Sequence, residues 1–281
     1  MTTIVQITDT HITAGGRLAY GKVDTHAALA QTVTHINALP QRIGPIDAVV
    51  VTGDLTDLAS PEEYAAFRDL TRDLAPPMFV LPGNHDDRTE MRRAFPDAGY
   101  FSEGDEPLDY SIMIGDLHVV ALDSTVPGKP HGELGTDQMR WLERTLDARP
   151  EDPAIVLLHH PPFETGIGHM DRQRLMNGAA LIEVLSARPQ VRLVSAGHVH
   201  RWISATIDRL ACMIAPAPAH AVTLDTTPDG PSTFMREPGA VVVHRWHPMG
   251  AAGNLTSFLS FVGQHDGPHP FFGVEQKSLL E

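Results

Sequence analysis

Five short apolar runs, each breaking off into Asp, Asn or His, constrain the fold of this chain more than any other feature. They read TIVQITDTH (3–11), DAVVVTGD (47–54), MFVLPGNHDD (78–87), AIVLLHHPP (154–162) and VRLVSAGHVH (191–200). Each has the length of one strand, and near-continuous Val, Ile and Leu means that both faces are covered by other layers. The segment YSIMIGDLHVVALDS (110–124) predicts two strands turning at Gly115-Asp116.

Between these runs the spacing predicts helices. SPEEYAAFRDLTRDL (60–74) carries Ser60 as N-cap, Pro61 at the first helical position and Glu63 to complete a capping box. Further helices are predicted over 24–39, 136–148 and 170–187. Strands alternating with helices call for α/β layers, and the hairpin makes at least one sheet mixed. Past residue 225 the pattern weakens: TTPDGPSTFMREPG reads as a loop and AVVVHRW (240–246) as one more strand. The expected division is a catalytic domain over 1–248 and a C-terminal extension over 249–281. In that extension NLTSFLSFVG (254–263) suits an oligomerisation arm, a pocket cover or an ordinary strand.

Charge narrows the function classes. The chain has 281 residues and a net charge of −14, with acidic residues spread along its length. Such a surface lacks the basic track that long nucleic acid or an anionic membrane needs, so an anionic substrate has to be drawn by local cations. Cys212 is the one cysteine, which rules out intrachain disulfides and thiolate metal clusters. With no apolar run of membrane-spanning length, a cytoplasmic location is the expectation.

In α/β sheets ligands gather at the carboxyl ends of strands. Here those ends carry Asp9 and His11, Asp54, Asn84 and His85, His159, then His198 and His200. Within D-x-H and H-x-H the spacing of two, read as strand, turns both side chains to one face. Singly, each pair has an ordinary explanation in turn chemistry or core packing. Five oxygen- and imidazole-bearing strand ends in one chain point instead to one metal-binding site.

The ordered set D-x-H, G-D, G-N-H-D, H-H-P-P and G-H-x-H, spanning residues 3–200, resembles the calcineurin-like metallophosphoesterase family. AYGKVDTHAAL (19–29) and MDRQRLMNG (170–178) are similar to its bacterial class III cyclic-nucleotide and glycerophosphodiester phosphodiesterase branch. The resemblance implies a four-layer αββα sandwich with two mixed β-sheets and a two-metal site. Asp9, His11 and His200 would hold one ion, Asn84, His159 and His198 the other, with Asp54 bridging. Mixed oxygen and nitrogen donors suit divalent or trivalent Fe, Mn, Zn or Co alike.

Two dications against the carboxylates of Asp9 and Asp54 leave about +2, enough to attract a phosphodiester despite the acidic body. The implied reaction is in-line attack by a metal-bound hydroxide. His85 would protonate or stabilise the leaving oxygen, and Asp86 would orient it. Substrate contacts are expected from Asn84, His85, His200, Phe163, His169 and His220, while His160 would face away from His159 as a residue that supports the ligands or is structural. The implied substrates are small phosphodiesters, either 3′,5′-cyclic nucleotides or glycerophosphodiesters, and the implied assembly is a homodimer or larger. A phosphomonoesterase using the same ions, and a metal-stabilised binding protein without turnover, are the competing readings. A non-ligand histidine at position 85 has no use in the last of these.

Overall fold

A computed structural model of the chain describes residues 1–102, 106–249 and 252–271. Residues 250, 251 and 272–281 of the expected C-terminal extension lie outside the described residues. Thirteen strands among the described residues form two large sheets and a small ladder. The first sheet joins β1 (Thr2–Ile7), β2 (Ala48–Thr52), β3 (Met78–Leu81), β12 (Ala240–Met249) and β13 (Ala252–Phe261) in the order β13-β12-β1-β2-β3. Its first three strands are parallel, whereas β12 and β13 run antiparallel to their neighbours. The second sheet joins β4 (Tyr110–Ile114), β5 (Leu117–Leu122), β6 (Ala154–Leu158), β7 (Val191–Ala196), β8 (Ile203–Ile207) and β9 (Leu210–Ile214) in the order β4-β5-β6-β7-β9-β8. β10 (Ala221–Val222) and β11 (Phe234–Met235) pair with each other alone.

The continuous apolar runs are buried because each strand feeds two cores at once. Along β2, Val49 and Val51 face the helices, while Ala48 and Val50 face the other sheet. β6 divides in the same way: Ala154, Val156 and Leu158 turn outward to helices, Ile155 and Leu157 inward. Helices α1 (Thr25–Ala38), α2 (Pro40–Ile43), α3 (Pro61–Thr71) and α4 (Arg88–Ala94) belong to the first sheet's side of the chain, and the outer core there takes Leu29, Val33 and Ile36 from α1 and Tyr64 and Phe67 from α3. Helices α5 (Thr136–Asp147), α6 (Gly168–Asp171) and α7 (Gly178–Ser186) serve the second, with Leu142, Leu146, Leu181 and Leu185 in its outer core. The third core, between the sheets, completes an α/β sandwich of four layers with two mixed sheets.

The capping box of α3 forms as its sequence predicts: Ser60 Oγ accepts from Glu63 N, and Glu63 Oε2 accepts from Ser60 N at 3.2 Å. The helix predicted over 170–187 does not form as one piece. Its middle is drawn out of helical geometry by a bridge between Gly132 and Leu175 and by Asn177, whose amide bonds both backbone groups of Leu134. Only α6 and α7 remain of it. NLTSFLSFVG falls largely in β13, which pairs with β12 over its whole length as the edge of the first sheet.

Candidate metal centre

β1, β2 and β3 end on the same edge of the sandwich as β6 and β7, so the polar residues that follow them meet. The donor atoms of Asp9, His11, Asp54 and His200 lie within 4.8 Å of one another, and those of His159, His160 and His198 form a second such group. Asp54 joins the two: its Oδ2 is 3.4 Å from His11 Nε2 and 3.3 Å from His159 Nε2. Asn84 Oδ1 lies 3.2 Å from His159 Nε2, and His200 Nε2 lies 3.3 Å from Asp9 Oδ1. Asp9, His11, Asp54, His159, His198 and His200 are all buried.

The side chains converge by a route other than strand pleating. β1 stops at Ile7 and β7 at Ala196, so both D-x-H and H-x-H lie in loops. Asp9, His11, Asp54, His198 and His200 all have left-handed backbones, with φ of 53°, 42°, 50°, 73° and 55°. Such conformations cost non-glycine residues roughly 1–3 kcal/mol each and persist only where surrounding contacts impose them. Those contacts are present: Asp9 N donates to Gly53 O and His11 N to Asp54 O, each at 3.0 Å, and His198 N donates to both Asp9 carboxylate oxygens. Gly197 clears space for that packing, because a Cβ there would overlap Thr8 Oγ1 and come within 2.9 Å of Asp9 Oδ2 and Thr52 O. Gly53, at φ 91°, and Gly83 likewise lie against His159 and Asp54.

Electrostatics reflect carboxylates and imidazoles forced together out of water. Burial raises Asp9 to about 6, with the Asp54 charge adding to the rise and His159 opposing it. Asp54 itself is held well below the usual carboxylate range, since the imidazoles around it, His159 foremost, outweigh its burial. Burial works against charge on His159, but Asp54 and Asp9 overcome it and raise the ring to about 9. His198 is lowered to about 3 and His200 well below its ordinary value, in both cases chiefly by burial.

The donor set fits a pair of cations. His11 Nε2 and His200 Nε2 stand 3.3 Å apart against the Asp9 and Asp54 carboxylates, and His198 Nε2, His200 Nδ1 and His11 Nδ1 are buried without a hydrogen-bond partner. Buried imidazoles so short of partners, pressed against buried carboxylates, carry a heavy desolvation penalty that bound cations would offset. Asp9, His11 and His200 on one side of the shared Asp54 carboxylate and Asn84, His159 and His198 on the other, with no thiolate, match ions that take oxygen and nitrogen donors.

Around this centre a cavity of about 480 Å³ is lined by His11, Asp54, Asn84, His85, His198 and His200 at its floor. His169 and His220 reach it as the sequence reading expects. Phe163 does not: its ring is packed in the outer core of the second sheet, beneath α6 and α7. Asp86 does not orient His85 either. Its carboxylate folds back under the loop to accept from Leu55 N, Thr56 N, Thr56 Oγ1, Tyr64 Oη and Gly83 N, and burial raises it to about 6. His85 is oriented by Asp57, a residue the motif reading passed over, whose backbone carbonyl accepts from His85 Nδ1 at 2.8 Å. The Asp57 carboxylate meanwhile lies 3.5 Å from His11 Nδ1. The available signal was its place three residues past Asp54. His160 does not turn away from the site: its Nδ1 is 2.8 Å from Ser124 Oγ, and its ring lies 4.8 Å from that of His198.

A sandwich of two mixed sheets, whose strand ends deliver two buried His/Asp clusters sharing one carboxylate, defines the dimetal phosphoesterase type of protein. The calcineurin-like phosphoesterase family matches residues 2–202, and the chain belongs to it. Over 281 residues it is 37% identical to a probable glycerophosphodiester phosphodiesterase, GpdQ, of Arcobacter nitrofigilis, covering 99% of each chain. It is 32% identical over 269 residues to a cAMP/cGMP dual specificity phosphodiesterase of Mycobacterium tuberculosis, covering 92% of this chain and 82% of that one. Among solved structures, a dimetal phosphatase from Danio rerio shares the fold with a TM-score of 0.64 at 14% identity, over 93% of this chain and 99% of the other. No described helix is long and apolar enough to cross a membrane.

Proposed function

We propose that the chain is a dinuclear metal-dependent phosphodiesterase acting on small diesters, of the cyclic-nucleotide or glycerophosphodiester kind that its relatives' names describe. The observation that carries this reading is Asp54: one buried carboxylate within 3.4 Å of a histidine from each of two donor groups, at the floor of an open cavity. Asp9, His11 and His200 would hold one ion, Asn84, His159 and His198 the other. When bound, two such ions supply attraction for the phosphate and lower the pKa of a water.

The remaining chemistry falls to the chain's own groups. His85 Nδ1 donates to the Asp57 carbonyl, an acceptor only, so its Nε2 is left to face the cavity. Protonated there, it would give its proton to the departing alkoxide, and its ring, edge-on to His11 at 4.6 Å, groups with His11 and Asp57 outside the four donors that include Asp54. The Thr52 carbonyl fixes His159 by accepting from its Nδ1 at 2.9 Å, which leaves Nε2 beside Asn84 Oδ1 for an ion, and the backbone N–H of His85 fixes Asp54 at 2.8 Å. Asp54, His85 and His159 are thus each held by a second contact.

The test is a side-by-side rate comparison of cyclic AMP, glycerophosphoethanolamine and a simple aryl phosphomonoester with Mn²⁺ supplied. One or both diesters should be preferred. A clear preference for the monoester would overturn the reading.

A further inference from the structure

Away from the donor clusters the wall of the cavity changes character. Tyr20, in the turn ahead of α1, lies 5.1 Å from the Phe234 ring with planes 37° apart, and both rings meet His220 edge-on at 5.4 and 5.5 Å. His220 in turn packs 4.4 Å from His200. An aromatic strip therefore runs unbroken from a candidate ligand to the rim, where Tyr20 is 53% exposed. Phe234 is brought there by the two-pair ladder Val222↔Phe234 and Ala221↔Met235, a small structure whose visible work is to present that ring. A large aromatic side chain left open at the mouth of a site forgoes burial that a packed position would provide.

The same cavity is lined by Gln173 and Ser232, whose side chains make no hydrogen bond among the described residues. None of the residues lining the cavity is Lys or Arg. Arg201, nearby, is already tied to Val222 O at 2.9 Å and to Glu237 Oε1 at 2.6 Å. The group beyond the phosphate is consequently uncharged or cationic, with a face to stack and an edge to hydrogen-bond. A cationic headgroup would need several ring faces around it or a carboxylate close by. Here Tyr20 and Phe234 lean on each other at 37° and both turn an edge-on contact to His220, so the ring left open at the rim is that of Tyr20, and the lining carboxylate, Asp54, lies at the floor.

We infer that Tyr20 and Phe234 form a shelf on which a heteroaromatic base of the substrate stacks, with Gln173 and Ser232 reading its polar edge, and that these residues select nucleoside diesters over aliphatic glycerophosphodiesters. This rests on the phosphodiesterase reading above and narrows it.

The test measures equilibrium binding of 5′-AMP and of ribose 5-phosphate to the metal-loaded full chain, two probes that differ only by the base. The wild type should bind 5′-AMP about 10-fold tighter. Tyr20→Ala and Phe234→Leu should bring 5′-AMP down toward ribose 5-phosphate, while Tyr20→Phe should keep the difference. The same variants should lower kcat/KM for cyclic AMP more than for glycerophosphoethanolamine. Equal binding of the two probes by the wild type would overturn the shelf, as would variants that weaken both equally. So would a loss confined to a choline-bearing diester. Failure to hydrolyse any diester with metal bound would instead sink the phosphodiesterase reading, whereas hydrolysis of glycerophosphoethanolamine with no base preference would sink the shelf alone.

Discussion

Asp54 and His85 touch, through the His85 N–H, yet their side chains have separable duties, and substitution should divide them. Asp54 joins both donor groups, so Asp54→Ala should remove turnover and lower bound metal together. His85 stands outside the shared-carboxylate cluster, so His85→Ala should keep metal content near wild type while slowing hydrolysis of an alkyl diester by ~10²-fold or more. Metal analysis and steady-state rates on the same preparations check this, and a His85→Ala protein with full rate on a poor leaving group would refute the acid role. At this scale the sequence shows which polar residues follow the strand ends, and the structure brings the donor atoms of four of them, Asp9, His11, Asp54 and His200, within 4.8 Å of one another. It misleads where neighbours in sequence do not touch in space. Asp86 follows His85 but is consumed by five bonds, four of them to Leu55, Thr56 and Tyr64 much earlier in the chain, and Phe163 follows the H-H-P-P turn but points into a core. Which way a loop residue turns depends on partners far along the chain, and no local pattern encodes them.

The strands feeding the site were legible because apolar runs covered on both faces leave an unmistakable imprint. The bends after them were not: side chains two apart converge there through left-handed backbones at Asp9, His11, His198 and His200, where pleated strand was expected. The 170–187 stretch failed for a related reason, its helical periodicity yielding to the Gly132–Leu175 bridge and to the Asn177 amide. These bends are held by close packing between loops of different sheets, and Gly197 is the tightest point reached by a metal-site loop. A Cβ at Gly197 has nowhere to go among Thr8, Asp9 and the Thr52 carbonyl, all of which also position ligands: Thr8 Oγ1 donates to Asp9 at 2.7 Å, and Thr52 O accepts from His159 Nδ1 at 2.9 Å. Gly197→Ala should therefore lower metal affinity at least 10-fold while the rest of the sandwich stays folded, as metal titration and circular dichroism of the same protein would show. Unchanged affinity would mean that the loop relaxes freely.

Between the sheets, below the donor clusters, a polar chain crosses the whole molecule from its edge strand to its centre. Ser257 on β13 donates to His244 Nδ1 at 2.8 Å, His244 Nε2 donates to Gln6 Oε1 at 3.0 Å, and Gln6 Nε2 donates to Thr52 Oγ1 at 2.9 Å. Ser195 Oγ also donates to Gln6 Oε1, at 2.6 Å. His244 is buried with no charged partner, and burial lowers it to about 4. In the unfolded chain the same ring takes its proton near 6.5. Between those values the unfolded state binds the extra proton, so the stability His244 contributes is complete above about pH 6.5 and is lost as pH falls toward 4. The donor clusters add slopes of both signs, since the raised Asp9 favours the folded state as pH falls while the lowered His198 opposes it. A comparison of wild type with His244→Gln isolates the one ring, because glutamine keeps a hydrogen-bonding side chain that does not titrate. In urea unfolding of metal-free protein at pH 6.5, 5.5 and 4.5, the variant's stability should fall less steeply by up to about 1.4 kcal/mol per pH unit, the worth of one proton. Parallel slopes would mean that His244 already carries its proton in the folded state, and that the Gln6 network has a donor where it now has an acceptor for Ser257.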